Sequence, residues 1–156
     1  MKLFSEKDIY FMKQALREAE KAFERNEVPI GAVIVFDDKI IGRGYNQTIT
    51  LKDPTAHAEI IALTSAANYL SDYRLEGCKI YVTLEPCPMC AGALVNARIS
   101  SLYFSAFDPK AGACGTLFNI TNNHLLNHQI KTYSGLLEEE SKSLLRAFFA
   151  NLRNMN

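Results

Sequence analysis

The chain has 156 residues, 48% of them hydrophobic, which suits one domain with a single core over residues 1–156. Its 17 basic and 17 acidic side chains cancel, so the sequence lacks the overall basic excess that is typical of nucleic-acid binders. Because it has no signal peptide, no run of about 18 apolar residues and only four cysteines, we expect a cytoplasmic protein that neither enters a membrane nor depends on disulfides.

Hydrophobic periodicity predicts a helix followed by a β-hairpin in the first third of the chain. The helix spans residues 5–25 and begins with a capping box at Ser5. Two β-rich runs, 30–36 and 39–45, follow it, and Asp37–Asp38 joins them as a tight turn. The hairpin indicates that at least one strand pair of the sheet is antiparallel.

The rest of the chain alternates between helices and strands. The predicted elements are helix 55–70, strand 79–84, helix 88–96, strand 99–104, the loop 108–123, strand 129–133 and helix 138–153. Such alternation indicates parallel strands with crossover helices. We therefore predict an α/β fold with a mixed five-stranded sheet and helices on both of its faces.

His57 and Glu59 lie at the start of the predicted helix 55–70, with Thr55 placed to cap it. This places both residues in the first helical turn. Residues two apart point about 200° away from each other around a helix. One side chain can therefore bind a metal while the other reaches a substrate.

Cys87 and Cys90 are three residues apart at the start of the next predicted helix, where Pro88 suits the first helical position. A helix N-terminus lowers the pKa of a cysteine, and metals bind the thiolate form. His57 with the two cysteines makes three protein ligands, the number found in catalytic zinc sites that keep one position for water. Glu59 is then free to shuttle protons, as zinc-dependent deamination requires.

Other assignments of these residues are weaker but remain open. The Cys-x-x-Cys pair could be a redox motif, although such motifs lack an upstream His-x-Glu. Cys78 or Cys114 could provide the fourth ligand of a structural zinc site. Cys78 begins a strand that separates it from Cys87 by about 3.3 Å per residue, so it should lie far from the metal. Cys114 is more simply interpreted as a small buried hydrophobic residue. His124 and His128 could bind a second metal only if they share a helix.

Segments along nearly the whole chain match the pattern of one family. These segments are Val28–Ala32, Asn46, Asp53–Glu59, Tyr73–Leu75, Tyr81–Ala93, Asp108–Ala113, Leu126–His128 and Phe148–Phe149. They resemble the cytidine and deoxycytidylate deaminase superfamily, and within it the bacterial tRNA-specific adenosine deaminases. The resemblance implies a three-layer α/β/α fold, hydrolytic deamination of adenosine to inosine at the tRNA wobble position, and a homodimer without a nucleotide cofactor.

The resemblance also assigns roles to individual residues. It implies that His57, Cys87 and Cys90 bind one Zn²⁺ per subunit and that Glu59 is the proton shuttle. The implied substrate-binding residues are Asn46 for the base, Val28, Leu84 and Pro86 for the pocket walls, and Asp108 and Lys110 for the RNA backbone of a tRNA anticodon arm. Packing in the core is an equally good interpretation of Val28.

Two departures from the tRNA branch keep a second function open. Gln47 stands where a basic residue is common, and Thr116 stands where serine is common. Guanine and cytosine deaminases share the fold and the metal ligands, so a free-base deaminase is the alternative. A third hypothesis, a catalytically inactive RNA-binding or structural zinc protein, fits less well because such a protein needs no proton shuttle.

The neutral net charge leaves room for a local basic patch. The residues that could form it are Arg98, Lys110, Lys142, Arg146 and Arg153. The last three belong to the predicted helix 138–153, so a solvated helix face is the simpler expectation for them. Only the three-dimensional arrangement can decide whether these side chains converge.

Overall fold

A computed structural model describes residues 3–155. Within that range the elements are α1 (Glu6–Glu24), β1 (Gly31–Phe36), β2 (Lys39–Tyr45), α2 (Ala58–Leu70), β3 (Lys79–Leu84), α3 (Pro88–Asn96), β4 (Ser101–Ala106), β5 (Lys131–Ser134) and α4 (Glu138–Met155). None of the helices in this range has the length and apolar character that crossing a bilayer needs.

The five strands form one mixed sheet in the order β2-β1-β3-β4-β5. Strand β1 runs antiparallel to both β2 and β3, whereas β3, β4 and β5 are parallel. Helices α2 and α3 pack together on one face, and α1 and α4 pack together on the other. The predicted mixed five-stranded sheet within an α/β/α fold is therefore confirmed.

Alternate residues of each central strand face opposite layers, and both layers are apolar. On β3, Ile80 and Val82 are fully buried in the cluster beneath α2 and α3. Tyr81 faces the other way and packs with Met12 of α1 and with Tyr103 of β4, whose ring is stacked 4.6 Å from that of Tyr81. Full burial stabilises each large aliphatic side chain by about 1.5–3 kcal/mol relative to exposure. Burial on both faces explains the continuous hydrophobic runs in the strand sequences.

Two local signals are confirmed by the backbone. Ser5 caps α1 and forms a reciprocal capping box with Asp8. Asp37 and Asp38 both adopt positive φ angles, 52° and 60°, as the two-residue turn of a β-hairpin requires. These signals depend only on neighbouring residues, which is why the sequence predicts them well.

Helix α2 begins later than predicted. Its N-cap is His57, with φ −79° and ψ 154°, and the first helical residue is Ala58. Thr55 was expected to cap the helix, but its N–H and hydroxyl both donate to Asp53 in a local turn at 2.8 Å. The prediction that His57 lies inside the first turn was therefore wrong. Only Glu59 lies there.

Strand β4 begins two residues later than the predicted range 99–104 because α3 uses the preceding residues for its C-terminus. Arg98 adopts a left-handed conformation with φ 62°. The N–H of Ile99 then donates to the carbonyl of Leu94 at 3.2 Å, which completes a Schellman-type cap. Ile99 is buried but does not pair in the sheet.

Strand β5 is also displaced from its predicted range 129–133 and begins at Lys131. The N–H of Ile130 donates instead to the carbonyl of Thr121 at 2.7 Å. A hydrogen bond to the preceding loop therefore replaces the expected bond to the neighbouring strand. Hydrophobicity alone cannot distinguish these two partners for the same N–H.

Two glycines of β2 allow α2 to approach the sheet closely. A Cβ atom on Gly44 would collide with the backbone carbonyl of Ala58, and one on Gly42 would collide with that of Ala62. Ala58 and Ala62 are four positions apart, which is about one helical turn. This close contact determines the position of the α2 N-terminus, and hence of His57 and Glu59.

Candidate active site

The predicted metal ligands meet where β3 ends and where α2 and α3 begin. His57 is the N-cap of α2 and Cys87 is the N-cap of α3, both in extended conformation and neither with a side-chain capping bond. Pro88 occupies the first turn of α3, as predicted. Two helix N-termini therefore face one point beyond the carboxyl end of a parallel strand, where ligands commonly bind in open α/β sheets.

The distances among the three side chains fit a zinc ion. Nδ1 of His57 lies 3.6 Å from Sγ of Cys87 and 3.5 Å from Sγ of Cys90, and all three donor atoms lie within 4.8 Å of one another. Tetrahedral coordination with ordinary zinc–sulfur and zinc–nitrogen bond lengths places a nitrogen and a sulfur about 3.6 Å apart. The chemistry and the spacing of the donors therefore both suit zinc.

The two thiols have opposite pKa shifts. Hydrogen bonds from Cys90 and His57 lower the pKa of Cys87 to about 4, so that this sulfur is a thiolate at neutral pH. The hydrogen bond to Cys87, together with burial, raises the pKa of Cys90. One sulfur is thus already in the metal-binding form.

Glu59 lies beside the three donors without belonging to their cluster. Its side chain is only 4% exposed, and burial raises its pKa to about 7. A carboxyl group with such a pKa can both accept and donate a proton near neutral pH. The geometry thus agrees with a proton shuttle rather than with a fourth ligand.

Asn46 follows β2 directly, and the N–H of the next residue, Gln47, donates at 2.9 Å to the carbonyl of Ala56, which precedes His57. The backbone N–H of Asn46 donates to Ile30 at 3.1 Å. Its side chain is 6% exposed, and among residues 3–155 no hydrogen-bond partner is found for its amide. No buried side-chain N or O atom of the described residues lacks a partner, so the unpartnered amide atoms reach the surface and are accessible to a ligand. Val28 and Leu84 are half-buried and Pro86 is buried, so their role as pocket walls stays a prediction.

The two residues predicted to contact RNA differ in their surroundings. The Asp108 carboxylate accepts the N–H groups of Lys110 and Ala111 at 2.9 and 3.3 Å, so it stabilises its own turn. The Lys110 side chain is exposed and lines a cleft of about 760 Å³ against α4. Direct RNA contact by either residue stays a prediction, and the structure favours Lys110.

Three of the five candidate basic residues converge on this cleft. Lys110, Arg146 and Arg153 line it together with apolar residues that include Phe149 and Leu152. The other two do not line it: Arg98 donates to the carbonyl of Val95 and Lys142 pairs with Glu138. Arg146 lines the cleft although its side chain also pairs with Glu139 at 3.4 Å. We call this surface the cationic cleft. Arg146 and Arg153 are exposed residues of α4, in agreement with the expected solvated helix face, and they also line this cleft.

The remaining cysteines and histidines lie outside the metal-ligand cluster. Cys78 and Cys114 are buried, and burial raises their pKa values to about 11 and 12. His124 lies in a turn rather than on a helix, and Nε2 of His128 lies 2.7 Å from the carbonyl oxygen of Ile99. The described residues thus offer neither a fourth soft ligand nor a second metal site.

Sequence reasoning missed two glutamates that organise the loops beside the site. Glu27 and Glu85 are 0% and 2% exposed, and each accepts backbone N–H groups from a loop more than 20 residues away. A charged residue that immediately precedes a predicted pocket residue, Val28 or Pro86, is the signal that could have identified them. Charged residues are rarely buried unless they are paired.

Comparisons with known proteins agree with this arrangement. A family model described as MafB19-like deaminase matches residues 5–153. The tRNA-specific adenosine deaminase of Bacillus subtilis is 50% identical over 146 residues, which cover 94% of this chain and 91% of that relative. Sequence similarity therefore extends over nearly the full length of both proteins.

Solved structures also match this chain over most of its length. One structure comes from a study of A-to-I editing by tRNA:A34 deaminases at the wobble position of transfer RNA. It superimposes with a TM-score of 0.84 and is 48% identical in sequence, and the match covers 87% of this chain and 99% of that one. A guanine deaminase from Nitrosomonas europaea superimposes with a TM-score of 0.76 but is only 25% identical, covering 96% of this chain and 87% of that one. The chain therefore belongs to the deaminase family that includes the tRNA-specific adenosine deaminases.

Proposed function

We propose that this protein hydrolyses adenosine to inosine and ammonia at the wobble position of a tRNA anticodon. The observation that carries the proposal is 50% identity to a tRNA-specific adenosine deaminase along 94% of the chain. The His57, Cys87, Cys90 and Glu59 constellation supports it, because these residues lie together at one end of the sheet. We propose further that residues 1–156 act as one deaminase domain in the cytoplasm, where tRNA is found.

His57, Cys87 and Cys90 would hold the catalytic zinc, one ion per subunit, through one nitrogen and two sulfurs. Zinc bound there supplies a Lewis acid that makes water nucleophilic at neutral pH. Glu59 takes the proton released as water attacks C6 of the adenine ring and delivers it to ring N1. The same carboxyl then takes the proton of the hydroxyl now on C6 and passes it to the amine, so that the C6–N6 bond breaks, ammonia departs and the C6 carbonyl of inosine remains.

Asn46 orients the base in this proposal. Its side-chain amide offers both a donor and an acceptor, and the residue as a whole is only 6% exposed. Hydrogen bonds made in such a place discriminate strongly between bases, because a base that cannot form them leaves a buried polar group unpaired. Val28, Leu84 and Pro86 would enclose the flipped nucleotide.

The cationic cleft supplies a surface for the RNA strand beside the target nucleotide. Lys110, Arg146 and Arg153 provide positive charge, and Phe149 adds an aromatic face that is 43% exposed. Basic side chains and aromatic faces together are typical of single-stranded nucleic-acid binding. A local concentration of charge thus reconciles an RNA substrate with the neutral net charge of the chain.

A homodimer is part of the same proposal. Three apolar side chains in the loop between β4 and β5, Leu117, Phe118 and Leu125, are more than half exposed. Exposed apolar groups of this size commonly mark an interface. Sedimentation-velocity analysis at micromolar concentration should give twice the 17.5 kDa mass of one chain.

The function is tested with purified, zinc-loaded protein and an anticodon stem-loop that carries adenosine at the wobble position. We expect inosine at that position and no product when guanosine replaces the adenosine. Parallel reactions with free guanine and free cytosine test the alternative, because the fold is shared with a guanine deaminase. Ammonia from a free base, with no inosine in the RNA, would refute the tRNA proposal.

A further inference from the structure

The buried carboxylate of Glu85 connects the predicted metal-binding turn to the loop after β4. Each of its oxygens accepts two hydrogen bonds. The donors are the N–H groups of Asp108 at 3.1 Å, Cys114 at 3.0 Å and Thr116 at 3.2 Å, and the hydroxyl of Thr116 at 2.5 Å. Cys87 follows Glu85 by only two residues. One side chain therefore links two segments that the sequence separates by more than 20 residues.

The loop, residues 108–116, packs directly around this side chain. A Cβ atom on Gly112 would collide with the Glu85 carboxylate, so the backbone can approach only because the residue is glycine. Next to it, the N–H of Ala113 donates to the carbonyl of Pro86 at 2.9 Å. The loop is thus attached to both Glu85 and Pro86.

The loop carries a residue that faces the cationic cleft. Lys110 lies between two of the attachment points, and the Asp108 carboxylate holds its backbone N–H at 2.9 Å. Asp108 in turn is held through its own N–H by Glu85. The Glu85 carboxylate therefore helps to set the position of Lys110 relative to Cys87, although its own hydrogen bonds go to the loop and not to the three metal ligands.

We propose that Glu85 is a positioning residue for the RNA substrate: it sets the cleft-facing loop relative to the metal-binding turn. The inference rests on the proposed function, because it takes the cationic cleft as the RNA surface. Glu85 does not act on the reacting atoms, so its loss weakens RNA binding rather than the chemical step. Thr116 is its partner, and a serine there would offer the same hydroxyl.

Glu85→Gln is the direct variant, because it removes the charge and puts an NH₂ donor among N–H donors. Thr116→Val is the milder one, because it removes a single hydroxyl and keeps the backbone bonds. Thr116→Ser tests rescue by the conservative side chain. Glu18→Gln is the matched control: Glu18 is equally buried, but it pairs with Lys21 and Arg43 rather than with a loop backbone.

Three measurements separate positioning from a general loss of structure. Hydrogen exchange should become about tenfold faster at the amides of residues 108–116 in Glu85→Gln, while β3 and β4 stay protected. Zinc content should stay at one per chain. With the stem-loop RNA, KM should rise about tenfold while kcat changes less than about threefold, with a smaller change in the same direction for Thr116→Val.

Different outcomes overturn the inference and the proposed function. Faster exchange of the loop with an unchanged KM would refute positioning by Glu85, and so would loss of zinc from Glu85→Gln. A kcat that falls while KM stays the same would indicate only a smaller folded fraction, which also refutes it. If the wild-type protein does not deaminate the stem-loop, the proposed function fails. The hydrogen-exchange measurement then still tests whether Glu85 orders residues 108–116. If Glu85→Gln does not fold, Thr116→Val decides, because its single lost hydroxyl leaves the fold intact.

Discussion

Thr50 donates two hydrogen bonds to a single oxygen of Glu27. The backbone N–H and the hydroxyl of Thr50 both lie 2.7 Å from Oε2, and the N–H of Ile49 donates to Oε1 at 3.2 Å. Glu27 thus holds the segment that connects Asn46 to His57. The arrangement parallels that of Glu85, so a buried carboxylate organises a loop on each side of the candidate site.

Thr50→Val should therefore destabilise the protein and disturb the site. Losing the hydroxyl bond to a buried carboxylate costs about 1–2 kcal/mol of unfolding free energy. The freed segment should also lower kcat/KM for the stem-loop by about tenfold, since both of its ends carry candidate site residues. Urea denaturation and steady-state kinetics measure the two effects.

Thr48→Val is the matched control, because no hydrogen bond is found for the Thr48 hydroxyl among residues 3–155. Equal effects of the two variants would contradict this role of Glu27.

Glu59→Ala should keep the metal and lose turnover. The carboxyl lies outside the three-donor cluster, so zinc stoichiometry measured by mass spectrometry should remain at one per chain. Removing a carboxyl group with a pKa of about 7 beside the three donors should lower kcat by about 10²–10⁴-fold. Stoichiometric loss of zinc would make Glu59 a ligand. A near wild-type rate would remove its assignment as the proton shuttle.

The four cysteines should differ in reactivity once zinc is removed. After chelation at pH 7.5, Cys87 should react first with iodoacetamide, because its pKa of about 4 keeps it a thiolate. Cys78 and Cys114 should stay protected, because burial raises their pKa values to about 11 and 12, well above the pH of the experiment. Peptide mapping before and after chelation gives the order. Fast labelling of Cys114 in the zinc-loaded protein would contradict the prediction, because it would show that this thiol is accessible.

Asn46→Ala should impair recognition of the base and leave the fold unchanged. The amide has no partner among residues 3–155, so its loss removes no described internal hydrogen bond and the melting temperature should change little. We expect kcat/KM for the stem-loop to fall by at least about 100-fold, because a polar group that recognises a base is lost from a residue that is only 6% exposed. Asn68→Ala, on the exposed side of α2, is the control and should retain activity. A small effect at Asn46 would contradict its assignment.

The cationic cleft predicts a salt-dependent interaction with RNA. Arg153→Ala should weaken stem-loop binding about three- to tenfold and make the slope of log Kd against log salt concentration less steep, by about one unit or less. Lys142→Ala is the control, since Lys142 lies on the same helix but pairs with Glu138 and does not line the cleft. Fluorescence anisotropy between 50 and 200 mM salt, about the range over which phosphate contacts change affinity, measures both variants. Identical slopes for the two variants and the wild type would place the RNA elsewhere.

Local chemistry explains why much of the fold is predictable from sequence. The capping box at Ser5 and the Asp37–Asp38 turn involve residues within three positions of each other, so the sequence contains all the participants. The spacing of Cys87 and Cys90 at the start of a helix is likewise local. The pairing with His57 was predictable because, of the three histidines, only His57 lies at the start of a predicted helix.

Element boundaries and the loops depended on contacts that sequence spacing does not reveal. Thr55 had the right side chain to cap α2, but Asp53 offered it a nearer partner. Ile99 and Ile130 had strand-like side chains, but a helix end and a distant loop took their N–H groups. In each case two backbone partners compete, and the difference in free energy comes from the rest of the fold.

By itself, the sequence determined the order of the elements, the mixed sheet and the candidate metal-binding residues, because these follow from hydrophobic periodicity and from donor chemistry at short range. Only the tertiary structure decided that Glu27 and Glu85 are buried, that they hold the two loops beside the site, and that Lys110, Arg146 and Arg153 converge on one cleft. The physical reason is the sequence distance between the groups that interact. A buried carboxylate is stable only where distant backbone donors surround it, and folding of the whole chain brings those donors together.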